Sequence, residues 1–292
     1  MAYWGSNVML KNGILKAGLI GANIQNSRLP AALKIMCDEA GLDLDFELID
    51  TSLVHAFDFY SEVHNRIDSK WTGVTITHPY KLDAALFLKA IKNGEMALEV
   101  ADLDASNTLV FDSTITGYNT DYSGFLGAWK KSMGDKLPGK VCVAGAGGVA
   151  AAIVPALIKL GAKKIVVWDL DVEKSSRIAG HYSGIVDVVL IHKSEAEILS
   201  ADGLVNATAL GMEAYPGSAF DSQFIGSQSW AFDAVYTPTN TQFLQCANAA
   251  GLNTISGFEL FCNMAVRSFK AYTGIDPDFE NSIEKLQELK PA

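Results

Sequence analysis

Val141-Cys142-Val143-Ala144-Gly145-Ala146-Gly147-Gly148-Val149-Ala150 runs from an apolar strand pattern through a glycine turn into a helix pattern. The turn spells G-x-G-x-x-A. In that arrangement the first glycine, Gly145, permits the tight turn. The second, Gly147, lets a pyrophosphate approach the backbone, and the small Ala150 lets helix and strand pack closely. The helix N-terminus then presents unpaired N–H groups and the positive end of its dipole to an anion. A bare structural turn is the competing reading. The strand before, the helix after and an acidic residue at the expected distance favour dinucleotide binding.

That acidic residue is Asp169, which ends the apolar run Ile165-Val166-Val167-Trp168. A carboxylate there accepts the ribose hydroxyls of NAD and repels the 2′-phosphate of NADP. The sequence Asp169-Leu170-Asp171-Val172-Glu173 supplies no arginine for that phosphate, so NAD is the expected cofactor. Asp171, just before a helical stretch, is the expected helix cap. Trp168 borders the adenine or simply ends its strand.

Outward from this turn, strand patterns at 140–144, 164–168, 186–191, 203–206 and 230–235 alternate with helix patterns, including 149–160. This alternation predicts a parallel, doubly wound sheet. Toward the N-terminus, 15–20, 44–50 and 73–77 read as strands and 30–41 as a helix, with Pro30 early and Gly41 at its end. A hairpin is predicted over 107–111 and 114–118, and a helix over 121–133. Gly134-Asp135-Lys136-Leu137-Pro138-Gly139 is the best linker candidate. Helices at 258–272 and 278–289 follow the last strand.

The chain has 292 residues, which at about 150 per domain suggests two domains. Its net charge of −10 argues against nucleic acid or an anionic membrane as partner. Hydrophobic residues make up 49% and charged residues 19%, a globular composition. The four cysteines form no CxxC pair, and the histidines are too scattered for a metal constellation, so a reduced cytoplasmic protein without a metal is expected. Residues 1–11 are mixed and polar, so no secretory leader is expected there. No apolar run reaches the roughly 18 residues of a spanning helix. HExxH, G-x-S-x-G and P-loop patterns are absent.

Further segments fall in a familiar order: Ser27 and Pro30 after the first strand, Thr77-His78-Pro79-Tyr80-Lys81, Asn107-Thr108, and Gly117-Tyr118-Asn119-Thr120-Asp121. After the glycine turn come Asn206-Ala207-Thr208-Ala209-Leu210-Gly211-Met212, Asp233-Ala234-Val235-Tyr236-Thr237-Pro238, and Gly257 leading into a helix. Over nearly its full length the chain resembles the shikimate/quinate dehydrogenase family. The resemblance implies an α/β fold of a Rossmann-like dinucleotide-binding domain (126–257) and an α/β substrate-binding domain (1–125 with 258–292). The active site is expected in the cleft between them.

The activity it implies is reversible oxidation of a ring hydroxyl of a shikimate- or quinate-like acid, in the setting of aromatic amino-acid biosynthesis. Lys81 and Asp121 are implied as the catalytic pair. A lysine ammonium stabilises a developing alkoxide and shuttles its proton, and a carboxylate orients lysine and hydroxyl. His78, one turn away, is expected to pack or cap rather than act as base. Ser27, Thr75, Thr77, Asn107, Thr120, Tyr236 and Asn263 are implied around the substrate. Gly145, Ala146, Gly147, Gly148, Val149, Ala150, Asp169, Asn206, Thr208, Met212 and Gly257 are implied around NAD. The expected partner is a small cyclic hydroxy acid, and the expected assembly a homodimer.

Three positions depart from the family pattern. Leu29 replaces the second serine of a Ser-x-Ser-Pro turn, Thr75 replaces an asparagine, and Asn263 replaces a glutamine. Loss of polar contacts there predicts poor turnover of shikimate itself, with Arg28 able to hold a carboxylate in a new pose. Ala209 replaces a proline and is expected to loosen its loop. The alternatives are a family paralogue with another hydroxylated substrate and a non-catalytic NAD-binding protein.

Overall fold

A computed structural model describes residues 10–291. Most of the polar opening segment, residues 1–9, lies outside the described residues. The chain divides into two compact units, the first of residues up to Thr120 with Met264–Leu289, the second of Asp121–Asn263 with Lys290 and Pro291.

The first unit opens with β1 (Ile14–Gly21), α1 (Leu29–Ala40), β2 (Asp43–Asp50), α2 (Phe59–Asp68) and β3 (Gly73–Ile76). It continues with α3 (Lys81–Ala90), β4 (Gly94–Met96), β5 (Thr108–Phe111) and β6 (Ile115–Tyr118). Proline in the first turn of α1 and Gly41 in the left-handed conformation after it set the ends of that helix. The sheet runs β2-β1-β3-β5-β6-β4, with β1 parallel to β2 and β3, and β5 antiparallel to β3 and β6. The expected hairpin is therefore present. The three-residue β4, parallel to β6, is too short to show a period in the sequence. Ile20, Ile49, Phe59, Val74, Phe87 and Leu109 lie in its core.

The helix α4 (Thr120–Met133) begins at the last residue before the second unit. That unit contains β7 (Lys140–Ala144), α5 (Ala150–Lys159), β8 (Lys164–Trp168), α6 (Val172–His181) and β9 (Val186–Val188). Then come α7 (Glu195–Leu199), β10 (Gly203–Asn206), β11 (Trp230–Asp233), α8 (Gln242–Ala249) and β12 (Asn253–Ser256). All six strands are parallel in the order β12-β11-β10-β7-β8-β9. The order reverses at β7, so the glycine turn leaves the sheet at its switch point, where doubly wound folds bind ligands. The long α9 (Gly257–Thr273) changes unit between Asn263 and Met264, and α10 (Phe279–Leu286) follows in the first unit.

Several expected bounds shift. The strand read as 186–191 ends at Val188, and Ile191–Lys193 turns into a short 3-10 helix. The closing helix is capped by Asp278 and ends at Leu286 before a 3-10 turn. The linker candidate 134–139 joins α4 to β7 inside the second unit. It is held fast, because the Trp129 and Trp230 indoles donate to the carbonyls of Lys136 (3.1 Å) and Pro138 (3.0 Å). Glycine and proline there serve a turn with Gly134 and Gly139 at positive φ rather than a domain boundary. No helix among the described residues is long and apolar enough to cross a membrane.

Candidate active site

In the second unit, β7 delivers Gly145 into the left-handed region with φ 94°. A Cβ at Gly145 would lie 2.8 Å from the Ala207 carbonyl oxygen, so only glycine fits. Around Gly147 a Cβ would meet nothing, so the backbone stands open to a ligand. Gly148 is exposed and Val149 half-buried, and no side chain caps α5, which begins at the buried Ala150. An anionic diphosphate fits such an uncapped helix start.

The Asp169 carboxylate reaches back to this turn. Its Oδ2 accepts the Ala146 N–H at 2.7 Å and its Oδ1 accepts the Asp171 N–H at 2.9 Å. Each oxygen keeps a further lone pair for a hydroxyl donor. Asp171 caps α6 through the Glu173 N–H, as its position in the sequence predicts. Trp168 is buried, edge-on to Phe220 at 5.6 Å, and belongs to the core.

At the end of β10, Asn206 is fully buried. Its Nδ2 donates to the Leu210 carbonyl (2.9 Å) and to Asp233 Oδ1 (2.9 Å), while its Oδ1 accepts the Thr208 N–H (3.0 Å) and hydroxyl (2.6 Å). Leu210 N–H closes the loop on Thr208 Oγ1 at 3.0 Å, and Met212 N–H on the Ala209 carbonyl at 3.2 Å. Around Ala209 the loop is held by the side chains of Asn206 and Thr208. Asp233 accepts also from Val235 N–H (2.9 Å) and Thr241 Oγ1 (2.6 Å). Burial pushes its carboxyl up to about 6, against those donors. Gly257 packs where a Cβ would lie 2.4 Å from the Ala234 carbonyl, and Tyr236 stacks on Phe261 with ring centroids 5.4 Å apart.

In the first unit the candidate residues gather at the ends of β1, β3 and β6. Ser27 Oγ accepts the Leu29 N–H at 3.3 Å, which leaves its hydroxyl hydrogen to donate outward. Thr77 lays its methyl over Gly21. Lys81, 8% exposed, starts α3, and its carbonyl accepts the Ser106 N–H at 2.9 Å beside Asn107. Asn107 Oδ1 accepts Thr120 N–H (2.7 Å), Thr120 Oγ1 (3.1 Å) and Thr108 Oγ1 (3.1 Å). Those three donors fix the amide oxygen of Asn107. Thr120 also shares a 3.1 Å hydrogen bond with Ser268, and Asp121 follows it in the chain, in the first turn of α4. His78 has an exposed side chain and neither packs nor caps; its carbonyl accepts the Ala22 N–H at 2.9 Å.

The three departures from the family pattern are all turned inward. Leu29 is 2% exposed and belongs to the core. Thr75 shares a buried 2.6 Å hydrogen bond with Tyr272 of α9. Asn263 donates through Nδ2 to the Glu259 carbonyl (2.9 Å), and its Oδ1 lies 2.4 Å from where a Cβ on Gly127 would stand. Leu29 therefore packs in the core, while Asn263 keeps Oδ1 without a hydrogen-bond partner among the described residues. Asp50, Asp233, Ser268 and Tyr272 were not singled out by the sequence. Asp50 offers only an acid at a strand end, whereas Asp233 opens one of the family-like segments, 233–238. Among the described residues no three His, Cys, Asp or Glu are grouped to hold a metal ion.

Residues 19–109 match the family model of the shikimate dehydrogenase substrate binding domain. The chain is 33% identical to a Corynebacterium glutamicum protein named quinate/shikimate dehydrogenase (NAD(+)), over 95% of this chain and all of that one. It is 32% identical to the shikimate dehydrogenase (NADP(+)) of Pseudarthrobacter chlorophenolicus over 94% of this chain and 95% of the relative. The solved quinate dehydrogenase from Corynebacterium glutamicum in complex with NAD superposes with a TM-score of 0.84, covering 93% of this chain and 98% of that one. On this full-length similarity, together with the switch-point glycine turn, the chain belongs to the shikimate/quinate dehydrogenase family.

Proposed function

We propose that the chain is an NAD-dependent dehydrogenase that reversibly oxidises a ring hydroxyl of a shikimate- or quinate-like cyclic polyol acid. The observation that carries the cofactor choice is Asp169, a carboxylate held at the glycine turn by the Ala146 N–H. A 2′-phosphate brought there would meet negative charge and no arginine. The second unit then holds the dinucleotide through Gly145, Ala146, Gly147, Gly148, Val149 and Ala150, with Asn206, Thr208, Met212 and Gly257 around it. The first unit holds the acid. The relative named for quinate, shikimate and NAD supports the same reading.

NAD, when bound, supplies the acceptor for the hydride that leaves the carbinol carbon. The chain's own residues do the rest. The Lys81 Nζ takes the hydroxyl proton as the hydride leaves the carbinol carbon, the ammonium so formed stabilises the oxygen, and the proton then passes to solvent. Asp121 orients the lysine and the hydroxyl. Asn107 Nδ2 and the hydroxyls of Ser27, Thr77 and Thr120 hold the acid in register, so that reacting atoms meet in one geometry. Thr75, engaged with Tyr272, contributes shape in place of an amide. With Leu29 in the core as well, quinate or another polyol is the preferred substrate over shikimate. A paralogue acting on a different hydroxylated acid is the second reading, favoured by those same inward-turned positions.

The free, mostly buried cysteines suit a cytoplasmic enzyme of aromatic metabolism, acting as a homodimer. The test mixes purified protein with NAD or NADP and a panel of shikimate, quinate and other cyclic polyols, following absorbance of the reduced cofactor. Turnover of at least one acid with NAD is expected. No turnover on the whole panel overturns the reading.

A further inference from the structure

Asp50 closes β2 directly beside Gly21, the last residue of β1. Five donors converge on its carboxylate. Oδ1 accepts Asn23 N–H (2.9 Å), Ser52 N–H (3.1 Å) and Ser52 Oγ (2.6 Å). Oδ2 accepts Ile24 N–H (3.2 Å) and Gln25 Nε2 (3.2 Å). The Ser52 hydroxyl first, then the backbone N–H groups and Gln25, hold this carboxyl down at about 2. Asn23 sits at φ 58°, a left-handed conformation that asparagine tolerates. Consecutive N–H groups in such a turn make a cradle for an anion, and here the anion is the protein's own.

The grip passes on to Ser27. The Ile24 carbonyl accepts the Ser27 N–H at 2.9 Å, and Ser27 Oγ in turn accepts Leu29 N–H at the start of α1. From the other side, Ala22 N–H is held by the His78 carbonyl at 2.9 Å, in the turn that leads to Lys81. Of the contacts that fix residues 22–25, Asp50 therefore supplies three.

We propose that Asp50 is a positioning residue for substrate binding: it never touches the acid, but sets the place of the Ser27 hydroxyl by anchoring the turn that carries it. The proposal rests on the reading that Ser27 binds the substrate. A carboxylate is needed because every partner is a donor; an amide at this position would turn its own N–H₂ toward N–H groups and lose those bonds.

The test has two arms on the full chain. In the first, amide hydrogen exchange of Asp50→Asn is expected to quicken by about tenfold or more within residues 22–28, while β1 and β3 exchange as before. In the second, KM for the acid rises about tenfold with kcat and the KM for NAD within roughly twofold, a misplacement effect. Ser27→Ala raises the same KM, and the Asp50→Asn/Ser27→Ala double variant is no worse than the worse single, since both act through one hydroxyl. Should Asp50→Asn fail to fold, Ser52→Ala keeps the carboxylate but removes its shortest bond, and a smaller rise in the same KM is expected. Unchanged exchange at 22–28, an unchanged KM, or losses that multiply in the double variant overturn the proposal. If the unmutated chain turns over no polyol acid, the dehydrogenase reading fails instead, and exchange at 22–28 alone decides whether Asp50 anchors the turn.

Discussion

In the Asp121–Asn263 unit the ligand turn is made of main-chain N–H groups and absent side chains, with one carboxylate, Asp169, reaching in. In the other unit the candidate site includes a mesh of groups from β3, Asn107 and β5, the start of α4 and α9, bonded to one another. Within the turn, a Cβ at Gly145 would strike the Ala207 carbonyl, whereas one at Gly147 would meet nothing. A mesh of hydroxyls and amides can absorb change by finding new partners within the protein. Thr75 shows this: at a position where relatives carry an asparagine, its hydroxyl has gone to Tyr272. Of the departures from the family pattern, Leu29 and Thr75 fall in the first unit and Asn263 and Ala209 in the second.

The sharpest way to break this comparison is at the chemistry, which such departures should not touch. Lys81→Ala is expected to lower kcat by about 10²–10⁴-fold with NAD affinity unchanged, measured by steady-state kinetics and by titrating the cofactor. Retention of more than about a third of wild-type turnover would remove Lys81 from the role. Next in size is Leu29. As a core residue, it should cost about 2–5 kcal/mol of stability when replaced by serine, read from denaturant unfolding, with no gain on shikimate. A stable Leu29→Ser protein with higher kcat/KM on shikimate would show that position 29 faces the ligand after all.

On the nucleotide side, NAD should be preferred over NADP by about tenfold or more in kcat/KM. Asp169→Ala should close most of that gap while also raising KM for NAD, since the Ala146 N–H loses its acceptor. Equal use of both cofactors by the unmutated chain would refute the role of Asp169.

The smallest effect separates two aspartates, one from each unit. Asp233 has a folded-state pKa raised from 3.8 to about 6, so between those values the folded chain holds a proton the unfolded chain has lost. Its contribution favours folding in acid and is lost as pH rises through about 6. Asp50, lowered to about 2, contributes stability above pH 3.8 that is lost only as pH falls toward 2. Melting temperature against pH should therefore fall less between about pH 4 and 7 in Asp233→Asn than in the unmutated chain. Parallel curves would mean that Asp233 does not titrate there.

The sequence by itself determined the parts that local chemistry encodes. Glycines at 145 and 147 between an apolar strand and an apolar helix specify a nucleotide turn, because backbone conformation and free N–H groups are short-range properties. Pro30, Gly41 and Asp171 mark helix ends for the same reason, and the ordered segments from Ser27 to Gly257 identified the family. Only the tertiary structure decided the rest. The 134–139 segment looks like a linker until the indoles of nearby Trp129 and distant Trp230 are seen to hold it. Leu29 and Thr75 look like lost substrate contacts until the core and Tyr272 are found against them. Asp50 is one acid among 33 Asp and Glu residues until the fold lays β2 beside β1 and brings five donors to it. Hydrogen-bond partners set by strands and helices far apart in the chain leave no spacing to read, which is why those roles were decided by the fold.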